Sequence, residues 1–290
     1  MKNIILKGAR LKTSILFSAL LIVLISCGGG DSEPSGPTNP PAGNLPEVPD
    51  ESFETLVWSD EFDVDGSPDA EKWAYDLGDG CPNLCGWGNN EAQYYTDRPE
   101  NVIVDDGLLK ITLKKEDYEG SKYTSTRMLT QGKYDFKYGK LEVRAKLPSG
   151  GGTWPAIWML GSNISTAGWP ACGEIDVMEH AGNRQGDVSS ALHTPSSSGN
   201  TVNTGKQTIS DVSDEFHVYT VVWKRQSITF SVDGVIHYSY NPPSKNDSNW
   251  PFYLEQFIIL NVAMGGSFGG DIDTAFTESS MEVDYVRVYQ

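Results

Sequence analysis

The segment KLEVRAKLP, residues 140–148, alternates apolar with charged side chains. Every odd-numbered residue from Leu141 to Leu147 is apolar, and every even-numbered residue from Lys140 to Lys146 is charged. Successive side chains of a β-strand point to opposite faces, so the pattern predicts a strand with one face in a core and the other in water. The segment therefore favours an antiparallel sheet.

Similar strand-length patterns recur on both sides of this segment. They are VIVDDGLLKITL (102–113), HVYTVVWK (217–224), SITFSVDGVIHYSY (227–240), QFIILNVAM (256–264) and MEVDYVRVYQ (281–290). Asp233-Gly234 separates two alternating runs, which is a strong signal for a β-hairpin. No long stretch of the sequence has apolar residues at helical spacing. The chain is therefore predicted to be all-β, an antiparallel β-sandwich or barrel.

Three carboxylates fall within the segment GEIDVMEH. In a regular strand Glu174 and Asp176 share one face, while Glu179 points to the other. A β-bulge around Val177 and Met178 adds one residue to the strand and returns Glu179 to the face of the other two acids. We therefore predict a bulged strand whose three acids project into one groove.

Crowded carboxylates repel one another, which raises the pKa of one member. A site that needs one ionised and one protonated carboxylate near neutral pH uses this effect. Glycoside hydrolysis is such a reaction, because one carboxylate attacks the sugar or activates water while the other protonates the leaving oxygen. The strand could supply either a retaining separation of about 5 Å or an inverting one of about 6.5 to 9.5 Å.

Two other interpretations of this segment remain open. An acidic strand at the solvated surface would carry the same residues without any chemistry. A metal site would use Glu174, Asp176, Glu179 and His180 as ligands. The bulge disfavours the metal, because it turns His180 to the opposite face of the strand.

The chain contains 8 Trp and 13 Tyr, more than one core needs, and several Trp lie beside Gly and Pro. Flat aromatic rings stack on the apolar faces of sugar rings. Trp154 and Trp169 are therefore predicted to line a cleft. For Trp158, which lies within an apolar run, core and cleft positions both remain open.

The N-terminus has the features of an export signal. Basic residues precede an apolar run at residues 15–25, which is short for a membrane span and ends just before Cys27. The pattern is typical of a bacterial lipoprotein acylated on this cysteine, with an ordinary signal peptide as the alternative. We expect a signal peptide (1–27), a flexible linker (28–52) and one domain (53–290). The protein is therefore predicted to be exported and lipid-anchored at the outer membrane or surface of a bacterium.

The formal net charge of −17 excludes nucleic acid as a partner, since phosphate binding needs clustered Lys and Arg. A neutral polysaccharide would not be repelled, and the N-terminal lipid would be the only contact with a membrane. Cys81 and Cys85 lie four residues apart in a Gly-rich loop and are a candidate disulfide in an oxidising compartment. Cys172 is interpreted as a buried free thiol.

Together these segments resemble glycoside hydrolase family 16, and within it the laminarinases, which are endo-β-1,3-glucanases. GEIDVMEH is similar to the E-x-D-x-x-E signature of that family. Further similar segments follow in the family's order, WSDEFD (58–63), GTWPAIWML (152–160), VVWKRQSITFSVDG (221–234) and NVAMGGSFGG (261–270). The resemblance implies a β-jelly roll with a concave substrate cleft, and retaining hydrolysis of β-1,3-glucan or mixed-linkage β-glucan.

The resemblance also implies roles for individual residues. Glu174 matches the nucleophile, Glu179 the general acid/base, and Asp176 the carboxylate that orients the nucleophile. The extra residue Met178 distinguishes this chain from lichenase-like members, whose catalytic strand is regular. The residues implied to contact substrate are Trp154, Trp158, Trp169, His193, Asn89, Glu91 and Arg127.

Many members of the family carry a structural calcium ion, and Glu61, Gly107 and Asp284 match its ligands. No cofactor is expected for catalysis, and we expect a monomer. Other activities stay open at this point, namely cleavage of a galactan of the agar or carrageenan type, transglycosylation, and glycan binding without chemistry. The presence of all three acids disfavours the last of these.

Overall fold

The computed structural model describes residues 51–290 of the chain. This part of the chain consists almost entirely of strands joined by turns. In chain order the strands are β1 (Leu56–Asp60), β2 (Ala74–Asp76), β3 (Gln93–Tyr95), β4 (Val102–Asp105), β5 (Leu108–Tyr118), β6 (Ser121–Ser125), β7 (Arg127–Leu129), β8 (Asp135–Phe136), β9 (Gly139–Lys146), β10 (Thr153–Gly161), β11 (Glu174–His180), β12 (Asp187–His193), β13 (Thr204–Thr208), β14 (His217–Trp223), β15 (Ile228–Val232), β16 (Val235–Tyr240), β17 (Gln256–Met264) and β18 (Glu278–Tyr289). The helical segments are single turns, α1 (Ile164–Ala167), α2 (Gly266–Gly269) and two 3-10 turns at Cys85–Gly88 and Gly182–Arg184.

These strands form two sheets, here called the back sheet and the front sheet. The back sheet has the order β16-β15-β14-β9-β18-β5-β6-β3, with β1 paired to β18 and β4 to β5. The front sheet has the order β13-β12-β11-β10-β17-β7-β2, with β8 paired to β17. Neighbouring strands run antiparallel except for β3 and β6, which are parallel. The predicted all-β sandwich is confirmed.

The strand predicted from KLEVRAKLP is β9, in the middle of the back sheet. Its odd-numbered residues are buried and its even-numbered residues are partly exposed, as the alternation predicts. Leu141 and Val143 enter the main core between the sheets. On the other face, Lys146 Nζ lies 3.1 Å from Glu282 Oε2 of the neighbouring β18. One face of the back sheet is therefore apolar and the other is charged.

The hairpin predicted at Asp233-Gly234 is also confirmed. It joins β15 to β16, with Val232 paired to Val235. Asp233 and Gly234 have φ angles of 49° and 76°, as a two-residue type I′ turn requires at both central positions.

β10 and β17 form the centre of the front sheet, and every residue of β17 is buried. Its even-numbered residues from Ile258 to Met264 pack in the main core between the sheets. Phe257 and Ile259 belong to a second, smaller cluster on the front face. The run QFIILNVAM is therefore apolar at all positions except Gln256 and Asn261, because both faces of this strand are covered.

Some tryptophans are structural. Trp73 and Trp223 are almost fully buried in the main core. Trp73 Nε1 donates to Asp60 Oδ2 at 2.7 Å, and Trp223 Nε1 donates to the carbonyl oxygen of Phe252 at 3.1 Å. A buried indole usually needs such a partner, so these two side chains are fully accounted for by packing.

Cys81 and Cys85 form the predicted disulfide, with an S–S distance of 2.02 Å, and Cys172 is a buried free cysteine. The predicted signal peptide (1–27), its Cys27 and nearly all of the predicted linker (28–52) lie outside the described residues. The boundaries of the domain at 53–290 stay a prediction. Within residues 51–290, no helix combines the length and the apolar character that a membrane span requires.

Candidate active site

The bulge predicted in GEIDVMEH is present in β11. On the β10 side, Ile157 pairs with Met178 and the next residue, Trp158, pairs with Asp176, so Val177 is extra. The register on the β12 side shifts at the same place, between Asp176 and Glu179. Val177 and Met178 are both buried in the main core. Two consecutive side chains of the strand therefore point into the core, and every later side chain points to the face opposite to the one it would take in a regular strand.

The reversal brings the three acids to the front face of the sheet. Glu174 pairs with His193 of β12. One carboxylate oxygen from each of Glu174 and Asp176 and one ring nitrogen of His193 lie within 4.8 Å of one another. Glu179 is close enough to Asp176 for their charges to repel. The predicted grouping of Glu174, Asp176 and Glu179 is therefore what the backbone produces.

Each of the two glutamates accepts a hydrogen bond from its own tryptophan. Trp154 Nε1 donates to Glu179 Oε1 at 3.0 Å, and Trp169 Nε1 donates to Glu174 Oε2 at 2.9 Å. Trp169 is 49% exposed, so its ring offers a free face. A carboxylate that accepts an N–H is stabilised in its ionised form. The two tryptophans therefore line the site and also modify its acids.

Trp158 has a different partner. Its Nε1 donates to Asn261 Oδ1 at 2.7 Å. The residue is only partly buried and packs against the small cluster on the front face. The sequence left open whether Trp158 lies in the core or in the cleft, and in the structure it lies on the cleft side.

The electrostatics of the acids are dominated by burial. Burial raises the pKa of Glu174, of Asp176 and of Glu179 to about 8 in each case. Repulsion by Asp176 adds to the increase for both glutamates, whereas the tryptophan N–H groups oppose it. A hydrogen bond with Glu174 opposes the increase in the pKa of Asp176. The cluster therefore retains protons at neutral pH that isolated carboxyl groups would have lost.

His193 turns its Nε2 toward the acids. The backbone N–H of Gly199 donates to its Nδ1 at 3.1 Å, so the ring hydrogen is on Nε2. Nε2 lies 3.1 Å from Asp176 Oδ2 and 3.6 Å from Glu174 Oε1. A metal would need the Nε2 lone pair, which this tautomer does not offer. The cluster of Glu174, Asp176 and His193 therefore suits hydrogen bonding better than metal binding.

His180 takes no part in the cluster. It is fully buried, and its Nε2 accepts the backbone N–H of Gly186 at 3.1 Å. Burial lowers its pKa to about 4. The sequence argument against His180 as a metal ligand is confirmed, since the bulge turns it away from the acids.

Asn89, Glu91 and Arg127 lie in a polar network next to Trp158. Glu91 accepts hydrogen bonds from Asn89 Nδ2 at 3.2 Å and from Tyr95 Oη at 3.2 Å, and burial raises its pKa. The guanidinium of Arg127 lies 4.8 Å from the ring centroid of Trp158. The network continues through Tyr95 Oη, which accepts from Asn261 Nδ2 at 3.1 Å.

Sequence reasoning missed several members of these networks. Tyr95 and Asn261 connect Glu91 to Trp158, and Asn261 had a signal as the polar residue in the apolar run QFIILNVAM. Phe268 packs on Trp154 with ring centroids 5.3 Å apart, and Arg184 lies 4.8 Å over Phe268. No local pattern marks Arg184, because its contact depends on a fold that joins distant segments.

The three residues predicted to bind calcium lie at one end of neighbouring strands of the back sheet. Glu61 directly follows β1, which pairs with β18. Asp284 is the extra residue of a bulge in β18. Just before it Val283 pairs with Leu109 of β5, and just after it Val286 pairs with Asp60 of β1. Gly107 is in the turn between β4 and β5, which is at the same edge.

Both carboxylates of this group are paired with arginine in the structure. Glu61 accepts from Arg287 Nε at 3.0 Å and from Arg287 Nη2 at 2.7 Å, and Asp284 Oδ2 accepts from Arg144 Nη1 at 2.5 Å. The pairing with Arg287 lowers the pKa of Glu61. A calcium ion bound to these two carboxylates would replace their contacts with the arginines.

The sequence and the fold both match known proteins. Residues 89–287 match the family described as "Glycosyl hydrolases family 16". The "Beta-glucanase" of Rhodothermus marinus is 43% identical over 247 residues, covering 81% of this chain and 85% of the relative. The "Glucan endo-1,3-beta-glucosidase A1" of Niallia circulans is 37% identical over 260 residues, which cover 81% of this chain and 38% of that longer protein.

Among solved structures, the laminarinase of Flavobacterium sp. UMI-01 is 47% identical with a TM-score of 0.77, covering 81% of this chain and all of that one. The laminarinase of Rhodothermus marinus is 42% identical with a TM-score of 0.77, covering 81% of this chain and 97% of the other. The chain therefore belongs to glycosyl hydrolases family 16, and it is a glycoside hydrolase with the fold of the laminarinases.

Proposed function

We propose that the protein is a retaining endo-β-1,3-glucanase that uses Glu174 as nucleophile and Glu179 as general acid/base. One observation carries this assignment. The bulge in β11 turns both glutamates to the same face, and each accepts a hydrogen bond from a different tryptophan. Two carboxylates in separate environments are what a double displacement needs.

In the first step Glu179 is protonated and gives its proton to the glycosidic oxygen. Glu174 attacks the anomeric carbon at the same time, the bond to the leaving sugar breaks, and a covalent glycosyl-enzyme forms. In the second step Glu179, now ionised, removes a proton from water. The resulting oxygen attacks the anomeric carbon and releases Glu174 as carboxylate, so each residue returns to its starting state.

The surroundings support this division of roles. Glu174 accepts the Trp169 N–H, and this hydrogen bond favours its ionised form. Asp176 is 4% exposed, and His193 Nε2 lies 3.1 Å from its Oδ2. Glu179 faces the negative charge of its neighbours, and its raised pKa keeps it protonated at neutral pH. Asp176 acts here as the residue that orients the nucleophile.

The substrate is proposed to be a neutral β-glucan, laminarin in the first place. The partly exposed rings of Trp154, Trp158 and Trp169 border the acids and suit the apolar faces of glucose units. The formal charge of −17 opposes an anionic galactan. The similar proteins include laminarinases and a structure described as a "non-specific endo-beta-1,3(4)-glucanase", so mixed-linkage glucan is a second expected substrate.

The decisive experiment measures reducing ends released by the purified protein from laminarin, mixed-linkage β-glucan, agarose and cellulose in parallel. We expect release from laminarin. NMR of the reaction should show that the newly formed reducing ends have the β configuration before they mutarotate. Products that first appear with the α configuration would refute the roles of the two glutamates. If no reducing ends are released from laminarin, the proposed substrate is wrong. Oligosaccharides longer than the starting chains would reveal transglycosylation.

We propose further that the protein is exported and anchored to a bacterial cell surface through lipid on Cys27, with membrane contact limited to that lipid. The basic and apolar N-terminal segment supports this location. Mass spectrometry of the mature N-terminus and fractionation of a Cys27→Ser variant would test it. We also propose a monomer, which light scattering of the purified protein would test.

The calcium site at Glu61, Gly107 and Asp284 stays a proposal with a structural role. Glu61 borders a small acidic depression that also contains Asp60 and Asp69, which supports attraction of a cation. Calcium is expected to raise the unfolding temperature relative to a chelator, and the variant Asp284→Asn should lose that increase. An unfolding temperature independent of calcium would show that the arginines alone neutralise these acids.

A further inference from the structure

A fully buried serine lies behind the bulge. On β12, Val188 and Leu192 face the main core, and Ser190 lies between them on the same face of the strand with no exposed surface. Alternation along the strand therefore predicts an apolar side chain at this position. A buried hydroxyl costs free energy unless it is hydrogen-bonded, so the serine needs a specific reason.

The bulge supplies that reason. Asp176 pairs with Ala191 and Glu179 pairs with Ser189, so Ser190 faces the extra length of β11. A bulge interrupts the regular ladder of backbone hydrogen bonds. Ser190 Oγ lies 2.7 Å from the carbonyl oxygen of Val177, the extra residue. A carbonyl can only accept, so the single hydroxyl proton of Ser190 is donated to the bulge.

His237 completes a chain of hydrogen bonds from the other sheet. Its Nε2 lies 2.8 Å from Ser190 Oγ. Because the serine proton is already donated to Val177, Nε2 must carry a hydrogen and donate it to the hydroxyl oxygen. The two sheets approach closely here, since a Cβ at Gly205 of β13 would lie 2.5 Å from Tyr238 Cβ of β16. His237 can therefore reach across from the back sheet without a gap.

We infer that Ser190 and His237 are positioning residues, which fix the conformation of the bulge and through it the placement of Glu179 relative to Glu174 and Asp176. Neither residue reaches the front face, so neither touches the substrate. The inference rests on the proposed roles of the two glutamates. It goes beyond them by assigning a function to the buried Ser190 and the partly buried His237, both behind the front sheet.

The expected effect follows from the geometry. Without the hydroxyl, the Val177 carbonyl loses its donor and the bulge gains freedom. Glu179 then shifts among the groups that face it, which are Asp176 and Glu174 on its own strand, His193 on β12, Arg184 in the following turn and the indole of Trp154. Its spacing from the other acids is no longer held, so their repulsion weakens and its pKa falls.

The test compares Ser190→Ala with wild type in laminarin hydrolysis over a range of pH. We expect kcat to fall about tenfold with KM changed less than about twofold, because reacting groups are misplaced while the binding surface is kept. The basic limb of the kcat/KM profile should move to lower pH. The control is Val188→Ala, which makes a cavity on the same face of β12 but leaves the hydrogen-bond chain intact.

A pair of variants at His237 gives a second, independent readout. His237→Gln retains an N–H donor and should keep kcat near wild type, whereas His237→Phe removes the donor and should behave like Ser190→Ala. In the wild-type protein, ¹⁵N NMR should find His237 with its hydrogen on Nε2. Recovery of activity by the glutamine variant would separate positioning from general destabilisation.

The outcomes are distinguishable from those of the proposed function. Wild-type kcat and an unchanged pH profile in Ser190→Ala, with only a lower unfolding temperature, would overturn the positioning role while leaving the glucanase assignment in place. A hydrogen on Nδ1 of His237 would overturn it as well. An inactive wild-type protein would instead refute the proposed function on which the inference rests.

Discussion

The hydrogen bond from Trp154 to Glu179 permits a test of the acid/base assignment that does not alter either acid. Trp154→Phe keeps an aromatic ring and removes the Nε1–H that lies 3.0 Å from Glu179 Oε1. This N–H stabilises the ionised form of Glu179 and so lowers its pKa against the larger effect of burial. Removing it should therefore raise the pKa of Glu179.

The magnitude can be set from hydrogen-bond energies. A hydrogen bond to a charged group is worth about 1.5 to 3 kcal/mol, and one pKa unit corresponds to about 1.4 kcal/mol. An increase of about one to two pKa units is therefore expected. The acid is active when protonated, so the basic limb of the kcat/KM profile on laminarin should move to higher pH by that amount.

Trp169→Phe is the matched control because its N–H serves the other glutamate, at 2.9 Å from Glu174 Oε2. Its removal should raise the pKa of the nucleophile, which must be ionised to attack. The acidic limb should then move to higher pH, by less than the basic limb moves in Trp154→Phe, because Trp169 is 49% exposed and water can replace part of its interaction.

The two variants thus predict shifts on opposite sides of one profile. Movement of the acidic limb in Trp154→Phe, or of the basic limb in Trp169→Phe, would mean that the roles of the glutamates are exchanged. If both limbs of the pH profile stay at the wild-type pH and only the maximum kcat/KM falls, the tryptophans bind sugar without changing the pKa values of the acids.

The remaining predictions concern the acids and the bulge. Glu174→Gln should lower kcat about 10⁴-fold or more while laminarin still binds in affinity electrophoresis, and near-normal turnover would contradict the nucleophile. Glu179→Gln should slow laminarin hydrolysis about 10²- to 10⁴-fold but slow glycosylation by activated aryl glucosides far less, and equal slowing would argue against the acid. The same variant should melt at higher temperature than wild type at pH 8, because a buried acid with a raised pKa destabilises the fold as pH rises from about 4.5 toward about 8. Deleting Met178 should turn Glu179 into the core and abolish hydrolysis, so an active deletion variant would refute the reading of the bulge.

The sequence predicted those features that depend on neighbours along the chain. The alternation in KLEVRAKLP is a local property and gave β9 with its correct buried face. The bulge could be predicted because three acids separated by one and two residues share a face only if one residue is extra. The disulfide between Cys81 and Cys85 closes a short loop and needs no knowledge of the rest of the fold.

Features that depend on the pairing of distant strands could not be predicted in this way. Trp158 donates to Asn261, which is 103 residues away, because β10 and β17 are neighbours in the sheet. Glu61 is paired with Arg287, 226 residues away, and no periodicity in either segment indicates that contact. The local sequence pattern determines which face of the sheet a side chain occupies, whereas the order of the strands in the sheet determines which distant residues it contacts.

Two buried polar residues show how the site can be recognised from breaks in those local patterns. Ser190 interrupts the core face of β12, and Asn261 interrupts the apolar run of β17. Each is buried, and each is hydrogen-bonded to a residue next to the reacting groups, Val177 in one case and Trp158 in the other. A sandwich gains nothing in stability from such residues, because an apolar side chain would pack there without needing a partner. Their hydrogen bonds instead fix the direction of the bulge on one side of the sheet and of the Trp158 indole on the other, and the placement of Glu179 depends on the bulge.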